Sequence, residues 1–118
     1  IYVRPALAAL RAGGLRALAH VTGGGLTENL PRVLPAGLGA AIDLDAWPLP
    51  PVFAWLREAG GVADAEMLRA FNCGIGLVAV TAPERAEALA TILAAEGEDP
   101  RPIGRVVAGA GVSYSGRL

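Results

Sequence analysis

The chemistry in this chain concentrates in residues 20–35, His-Val-Thr-Gly-Gly-Gly-Leu-Thr-Glu-Asn-Leu-Pro-Arg-Val-Leu-Pro. The only histidine, His20, leads through Thr22 into three consecutive glycines, Gly23, Gly24 and Gly25. Glycine adopts backbone angles that other residues avoid and lets a ligand approach the main chain. Thr27, Glu28 and Asn29 then read as a helix start, with Thr27 as its N-cap. A helix N-terminus offers unpaired N–H groups and the positive end of a dipole. The pattern predicts a cradle for a phosphate or carboxylate with a titratable imidazole, His20, at its rim. Arg32 can clamp a phosphate bidentately, and the Glu28 carboxylate and Asn29 amide can hydrogen-bond a polar ligand. The same residues also suit plainer roles: a tight turn, a capped helix, a buried histidine, a solvated arginine.

A second stretch, Phe-Asn-Cys-Gly-Ile-Gly over residues 71–76, has glycines that permit a sharp turn or close backbone approach. Asn72 is its site candidate. Cys73 has no neighbouring base in sequence and reads as a small buried residue. Phe53, Trp55, Met67 and Phe71 read as core or packing-interface residues.

The elements that must position these groups follow from periodicity and punctuation. Pro5–Arg11 reads as a helix stopped by Gly13-Gly14, and Leu15–Val21 as a strand delivering His20 to the loop. The helix near Thr27 must be disturbed at Pro31. Leu38, Ala40, Ile42 and Leu44 alternate with Gly39, Ala41 and Asp43, a strand pattern. Pro48, Pro50 and Pro51 lead into a helix carrying Val52, Phe53, Trp55 and Leu56, which Gly60-Gly61 ends. Asp64 reads as the N-cap of the next helix. Gly74–Val80, apolar on both faces, predicts a buried central strand. Thr81 to Glu84 has capping-box spacing and opens a helix to about Ala95, with Ala86, Leu89, Ile92 and Leu93 inward. Ile103–Ala108 and Val112–Tyr114, joined at Gly109-Ala110-Gly111, read as a closing hairpin. The predicted fold is one domain of class α+β, layered α/β/α, spanning 1–118.

Composition narrows the function classes. The 118 residues are 53% hydrophobic and 18% charged, so the chain can bury a real core. A net charge of −1 argues against nucleic acid or an anionic membrane as main partner. All ten basic residues are arginine, so there is no Schiff-base lysine and no phosphate-loop lysine. One histidine and one cysteine are too few for a zinc cluster of those ligands, and no metal site is expected. A single cysteine excludes an internal disulfide and fits a reducing, cytoplasmic setting. The opening Ile1, where a Met would start a whole chain, is expected of a fragment, a processed product or a trimmed form of a longer protein.

These motifs closely resemble the C-terminal domain of phosphoribosylformylglycinamidine cyclo-ligase, also called aminoimidazole ribonucleotide synthetase. The resemblance lies in His20–Pro35, in Trp47–Trp55 (WPLPPVFAW), in Glu66–Val78 (EMLRAFNCGIGLV) and in the opening Tyr2-Val3-Arg4-Pro5. It covers almost the whole chain, with conservative departures such as Val21 and Leu77 where Ile and Met are common. It implies a mixed sheet layered with helices, distantly ferredoxin-like. It also implies a homodimeric enzyme of purine biosynthesis that uses ATP and Mg2+ to close an imidazole ring. The formamide oxygen of formylglycinamidine ribonucleotide is phosphorylated, a ring nitrogen attacks, and phosphate leaves. The family's N-terminal ATP-binding domain, with its aspartate and lysine motifs, has no counterpart in these residues. No cofactor is therefore expected on this chain alone, which would be the substrate-binding half and inactive by itself. On this resemblance His20 is catalytic. Thr22, Gly23, Gly24, Gly25, Thr27, Glu28, Asn29, Arg32 and Asn72 bind substrate or phosphate. The alternatives are a related phosphoryl-activating enzyme, such as formylglycinamidine synthetase or selenophosphate synthetase, and a non-catalytic binding or oligomerisation module.

Overall fold

The computed structural model describes residues 2–118. In chain order it runs α1 (Val3–Ala12), β1 (Leu15–His20), α2 (Gly25–Asn29), β2 (Leu38–Asp43), α3 (Pro51–Gly60), α4 (Asp64–Ala70), β3 (Leu77–Thr81), α5 (Ala86–Ala95), β4 (Gly104–Ala108) and β5 (Val112–Ser115). Short 3-10 turns occupy Pro31–Val33, Leu44–Ala46 and Pro83–Arg85. It is a mixed α+β fold. The chain divides into two compact units, Ile1–Leu18 with Ala79–Pro102, and Ala19–Val78 with Ile103–Leu118. β1 pairs with β3, and the division falls inside both strands.

In the first unit, Pro5 sits in the opening turn of α1, where its missing N–H has no intrahelical partner to lose. Gly13 ends the helix. The Arg85 guanidinium donates to the carbonyls of Ala12 (3.1 Å) and Gly13 (3.4 Å), placing a cation at the negative end of the helix. Thr81 does not form the expected capping box. Its hydroxyl donates to the Gly14 carbonyl at 2.9 Å, and α5 is entered through the Pro83–Arg85 turn with no side-chain cap. Pro5, Ala9 and Leu89 are buried where α1 lies against α5, whereas Ala86 is exposed.

The second unit is built around a three-stranded sheet ordered β4-β2-β5. β2 runs antiparallel to β4, with Ala40 opposite Val106, and parallel to β5, with Ile42 opposite Tyr114. The expected hairpin is therefore absent, because β2 lies between its two arms. The Gly109-Ala110-Gly111 link straddles the start of β2: Gly109 N–H donates to Gly37 O at 3.0 Å and Ala40 N–H donates to Gly111 O at 3.0 Å. Gly39 lies beneath this crossover, where a Cβ would fall 2.7 Å from the Gly111 oxygen.

α3 starts on Pro51 and ends at Gly61, in the left-handed conformation, whose N–H meets the Arg57 and Glu58 carbonyls. Asp64 is the first residue of α4 rather than its cap; its carboxylate lies 3.6 Å from Arg57 Nη1. The run expected as a buried central strand starts only at Leu77, and every position of β3 is half-buried. Cys73 and Gly74 are spent on a turn before the strand begins. The core of this unit gathers Leu26, Leu30, Ile42, Leu44, Trp47, Met67, Leu68 and Cys73.

Candidate functional site

β1 ends at His20, which is exposed. Val21 behind it is buried, and its N–H donates to Gly76 O at 2.9 Å. The chain then turns tightly, with the Gly25 N–H donating to Thr22 O at 2.9 Å. Gly24 (φ 101) and Gly25 (φ 59) both lie in the left-handed region. Gly25 also has no room for a side chain, because a Cβ there would overlap the Leu68 carbonyl oxygen of α4 and crowd that of Phe71.

This packing makes α2 begin at Gly25, with Gly24 at the N-cap position three residues ahead of the expected Thr27. Thr27 is consequently inside the helix and caps nothing; its Oγ1 lies 2.7 Å from Tyr114 Oη. At five residues α2 is too short for a strong dipole, so any anion affinity must come from the loop amides themselves.

Asn29 organises those amides. It is 6% exposed, and its Nδ2 donates to the carbonyls of Thr22 (3.3 Å), Gly23 (3.2 Å) and Gly25 (2.9 Å). In a trans peptide the C=O and the following N–H point to opposite sides. Drawing the Thr22 and Gly23 carbonyls onto Asn29 therefore turns the N–H groups of Gly23 and Gly24 away from it. Gly23 is exposed and Gly24 half-buried. Asn29 Oδ1 in turn lies 3.5 Å from Thr22 Oγ1 and 3.5 Å from Arg32 Nη1, which holds the Arg32 guanidinium beside the loop. The exposed Glu28 carboxylate folds back onto Gly24, where a Cβ would overlap it. The result is two outward main-chain N–H groups flanked by one cation and one anion.

The second motif is a turn. The Ile75 N–H donates to Asn72 O at 3.0 Å, and Asn72 Oδ1 accepts the Gly74 N–H at 2.8 Å. Its central residues, Cys73 (φ 52) and Gly74 (φ 99), are both left-handed, as in a type I′ turn. The Asn72 carboxamide oxygen is thus committed to the turn. Cys73 is fully buried and its thiol donates to Met67 O at 3.4 Å. Burial, reinforced by the Asp64 charge and opposed by Arg57, pushes the thiol up to about 11. It stays protonated, so it is a packing residue and not a nucleophile.

Three sequence motifs converge through these contacts. Trp47 donates its indole N–H to Cys73 O at 2.9 Å, and Pro50 packs on Gly74. The Leu68 and Phe71 carbonyls abut Gly25. Thr22, Glu28, Asn29 and Arg32 come together; Asn72 follows directly on Phe71, whose carbonyl faces the loop. Sequence reasoning missed Tyr114, whose signal was a lone phenol in a strand of small residues. Among the described residues no three His, Cys, Asp or Glu side chains gather as a metal site, and no helix is long and apolar enough to cross a membrane.

Residues 1–116 match the family described as AIR synthase related protein, C-terminal domain. The chain belongs to that family. Solved structures carry the same fold. E. coli HypE, a hydrogenase maturation protein, is 26% identical at a TM-score of 0.76 over 98% of this chain and 36% of that one. Thiamine-monophosphate kinase from Stenotrophomonas maltophilia K279a is 23% identical at a TM-score of 0.65, over 92% and 33%. The protein tt0281 of Thermus thermophilus is 30% identical at a TM-score of 0.63, over 92% and 34%. This AIR synthase-related domain spans about a third of the length of each.

Proposed function

We propose that this domain is the substrate-side half of an ATP-dependent cyclo-ligase that closes the imidazole ring of formylglycinamidine ribonucleotide, giving aminoimidazole ribonucleotide, ADP and phosphate. The observation that carries the proposal is the glycine loop held from beneath by Asn29, with Gly23 and Gly24 N–H groups turned outward beside Arg32. Main-chain N–H groups and a guanidinium suit the substrate phosphate or the phosphoryl group in transit. The Glu28 carboxylate suits the cationic amidine. His20, at the head of the loop, would stabilise charge or move a proton as the substrate's formamide oxygen takes the phosphoryl group and the ring nitrogen displaces phosphate.

Magnesium prefers carboxylate oxygens, and the described residues offer no such cluster. With no lysine in the chain either, the magnesium nucleotide belongs on an N-terminal ATP-binding domain in this reading. A homodimer in the cytoplasm, acting in purine biosynthesis, completes it. The four-motif resemblance favours the cyclo-ligase over other members of the family.

A second reading, a phosphoryl-activating enzyme with another substrate, draws on the likeness to HypE and to thiamine-monophosphate kinase. The two separate in a titration of the full-length protein with formylglycinamidine ribonucleotide, with and without ATP. Saturable binding is expected, and His20→Ala should lower turnover by about 10²–10⁴-fold. Turnover of thiamine monophosphate without binding of the ribonucleotide would overturn the cyclo-ligase.

A further inference from the structure

We propose that Tyr114 is a positioning residue for the glycine loop, acting through Thr27. The inference rests on the reading of that loop as a substrate site. α2 is a single turn or so of helix, too short to hold its own orientation, and only tertiary anchors can fix it. On its inner side Gly25 abuts the end of α4, and Leu26 and Asn29 are buried. On another side the anchor is one side-chain bond, Thr27 Oγ1 to Tyr114 Oη at 2.7 Å, linking residues 87 positions apart.

Tyr114 is itself held firmly. It is paired with Ile42 in the parallel register of β5 on β2. Just beyond it, the Arg117 N–H donates to Asp45 Oδ1 at 3.3 Å. Burial raises the phenol above its ordinary value of 10.0, so it remains a neutral donor and acceptor at physiological pH. The sheet thereby sets the azimuth of α2, and with it the direction of the Gly23 and Gly24 N–H groups.

The test uses the full-length protein and Tyr114→Phe, which keeps the ring and removes only the hydroxyl. Amide hydrogen exchange at Gly25 and Glu28, whose N–H groups close the loop on Thr22 O and Gly24 O, is expected to quicken about fivefold, and KM for formylglycinamidine ribonucleotide to rise about three- to tenfold, with kcat within about twofold. Thr27→Val should reproduce the effect without adding to it in the double variant, while Thr27→Ser should keep the slow exchange. Unchanged loop exchange in Tyr114→Phe, or full additivity with Thr27→Val, overturns the proposal. So does quickened exchange with an unmoved KM. If the ribonucleotide does not bind the unaltered protein, the substrate reading fails, and the exchange rates still decide whether Tyr114 positions the loop.

Discussion

Trp47 and Cys73 are joined by a 2.9 Å hydrogen bond from the indole Nε1 to the backbone carbonyl, across 26 positions of sequence. The bond matters because Cys73 is the one described residue other than glycine with a positive φ, at 52°. That conformation costs roughly 1–2 kcal/mol, and the indole and the thiol–Met67 bond offset it. Trp47→Phe keeps an aromatic ring but strands a buried carbonyl, and should destabilise by about 1–3 kcal/mol in urea titration. Trp55 is 65% exposed, so Trp55→Phe should stay within about 0.5 kcal/mol. Equal losses in the two variants would contradict this role for the indole.

Two neighbouring glycines should behave oppositely. Gly25→Ala forces a Cβ into the Leu68 and Phe71 carbonyls at a left-handed position, and should cost more than about 3 kcal/mol or prevent folding. Gly23 has open space around a built Cβ, so Gly23→Ala should leave the thermal midpoint nearly unchanged. Any loss it causes should appear in ligand affinity. Comparing thermal melts with titrations separates the two effects.

Asn29→Asp tests the amide pin. A carboxylate cannot donate to the Thr22, Gly23 and Gly25 carbonyls, and it sets a negative charge against three oxygens. The variant should lose about 2–4 kcal/mol at neutral pH. Its carboxyl should titrate above the unfolded value of about 3.9, so part of that loss should be recovered as pH falls through the raised value toward about 3.9. Stability that declines in parallel with the unaltered protein on acidification would argue against the pin.

Alkaline stability should fall in a defined window. In the unfolded chain the Cys73 thiol ionises near 9.0, whereas in the fold burial holds it protonated to about 11. Between these values the unfolded state binds fewer protons, so stability drops with rising pH, by an amount on the order of 2 kcal/mol. Tyr114, also raised by burial, adds a fall of the same sign beginning near 10. The chain has no lysine to blur this limb. Cys73→Ala should therefore flatten stability between pH 9 and 10, measured as urea midpoints against pH.

Local patterns were legible where neighbours in sequence are neighbours in space. α1, β1, β2 and α3 follow the periodicity and the Gly and Pro punctuation, and the grouping of Thr22, Glu28, Asn29 and Arg32 is a matter of adjacent turns. What escaped depends on distant residues. Thr27 looks like a cap until the carbonyls of Leu68 and Phe71 draw the helix start back to Gly25. Thr81 looks like half of a capping box until the Gly14 carbonyl claims its hydroxyl. Three residues rich in glycine between two strands imitate a hairpin turn, and only the insertion of β2 shows otherwise.

That insertion bears on how the protein is made. Both neighbours of β2 come from residues 104–115, so a growing polypeptide carries β2 with two bare edges after it leaves the ribosome. At translation rates of about 5–20 residues per second, the exposure lasts roughly 3–12 s. β4 and β5 must then settle astride a strand already waiting, with Gly39 leaving clearance for the link that passes over it. A nascent chain stalled near Pro102 would hold an unpaired strand at the heart of its larger unit, a target for chaperones and a seed for aggregation.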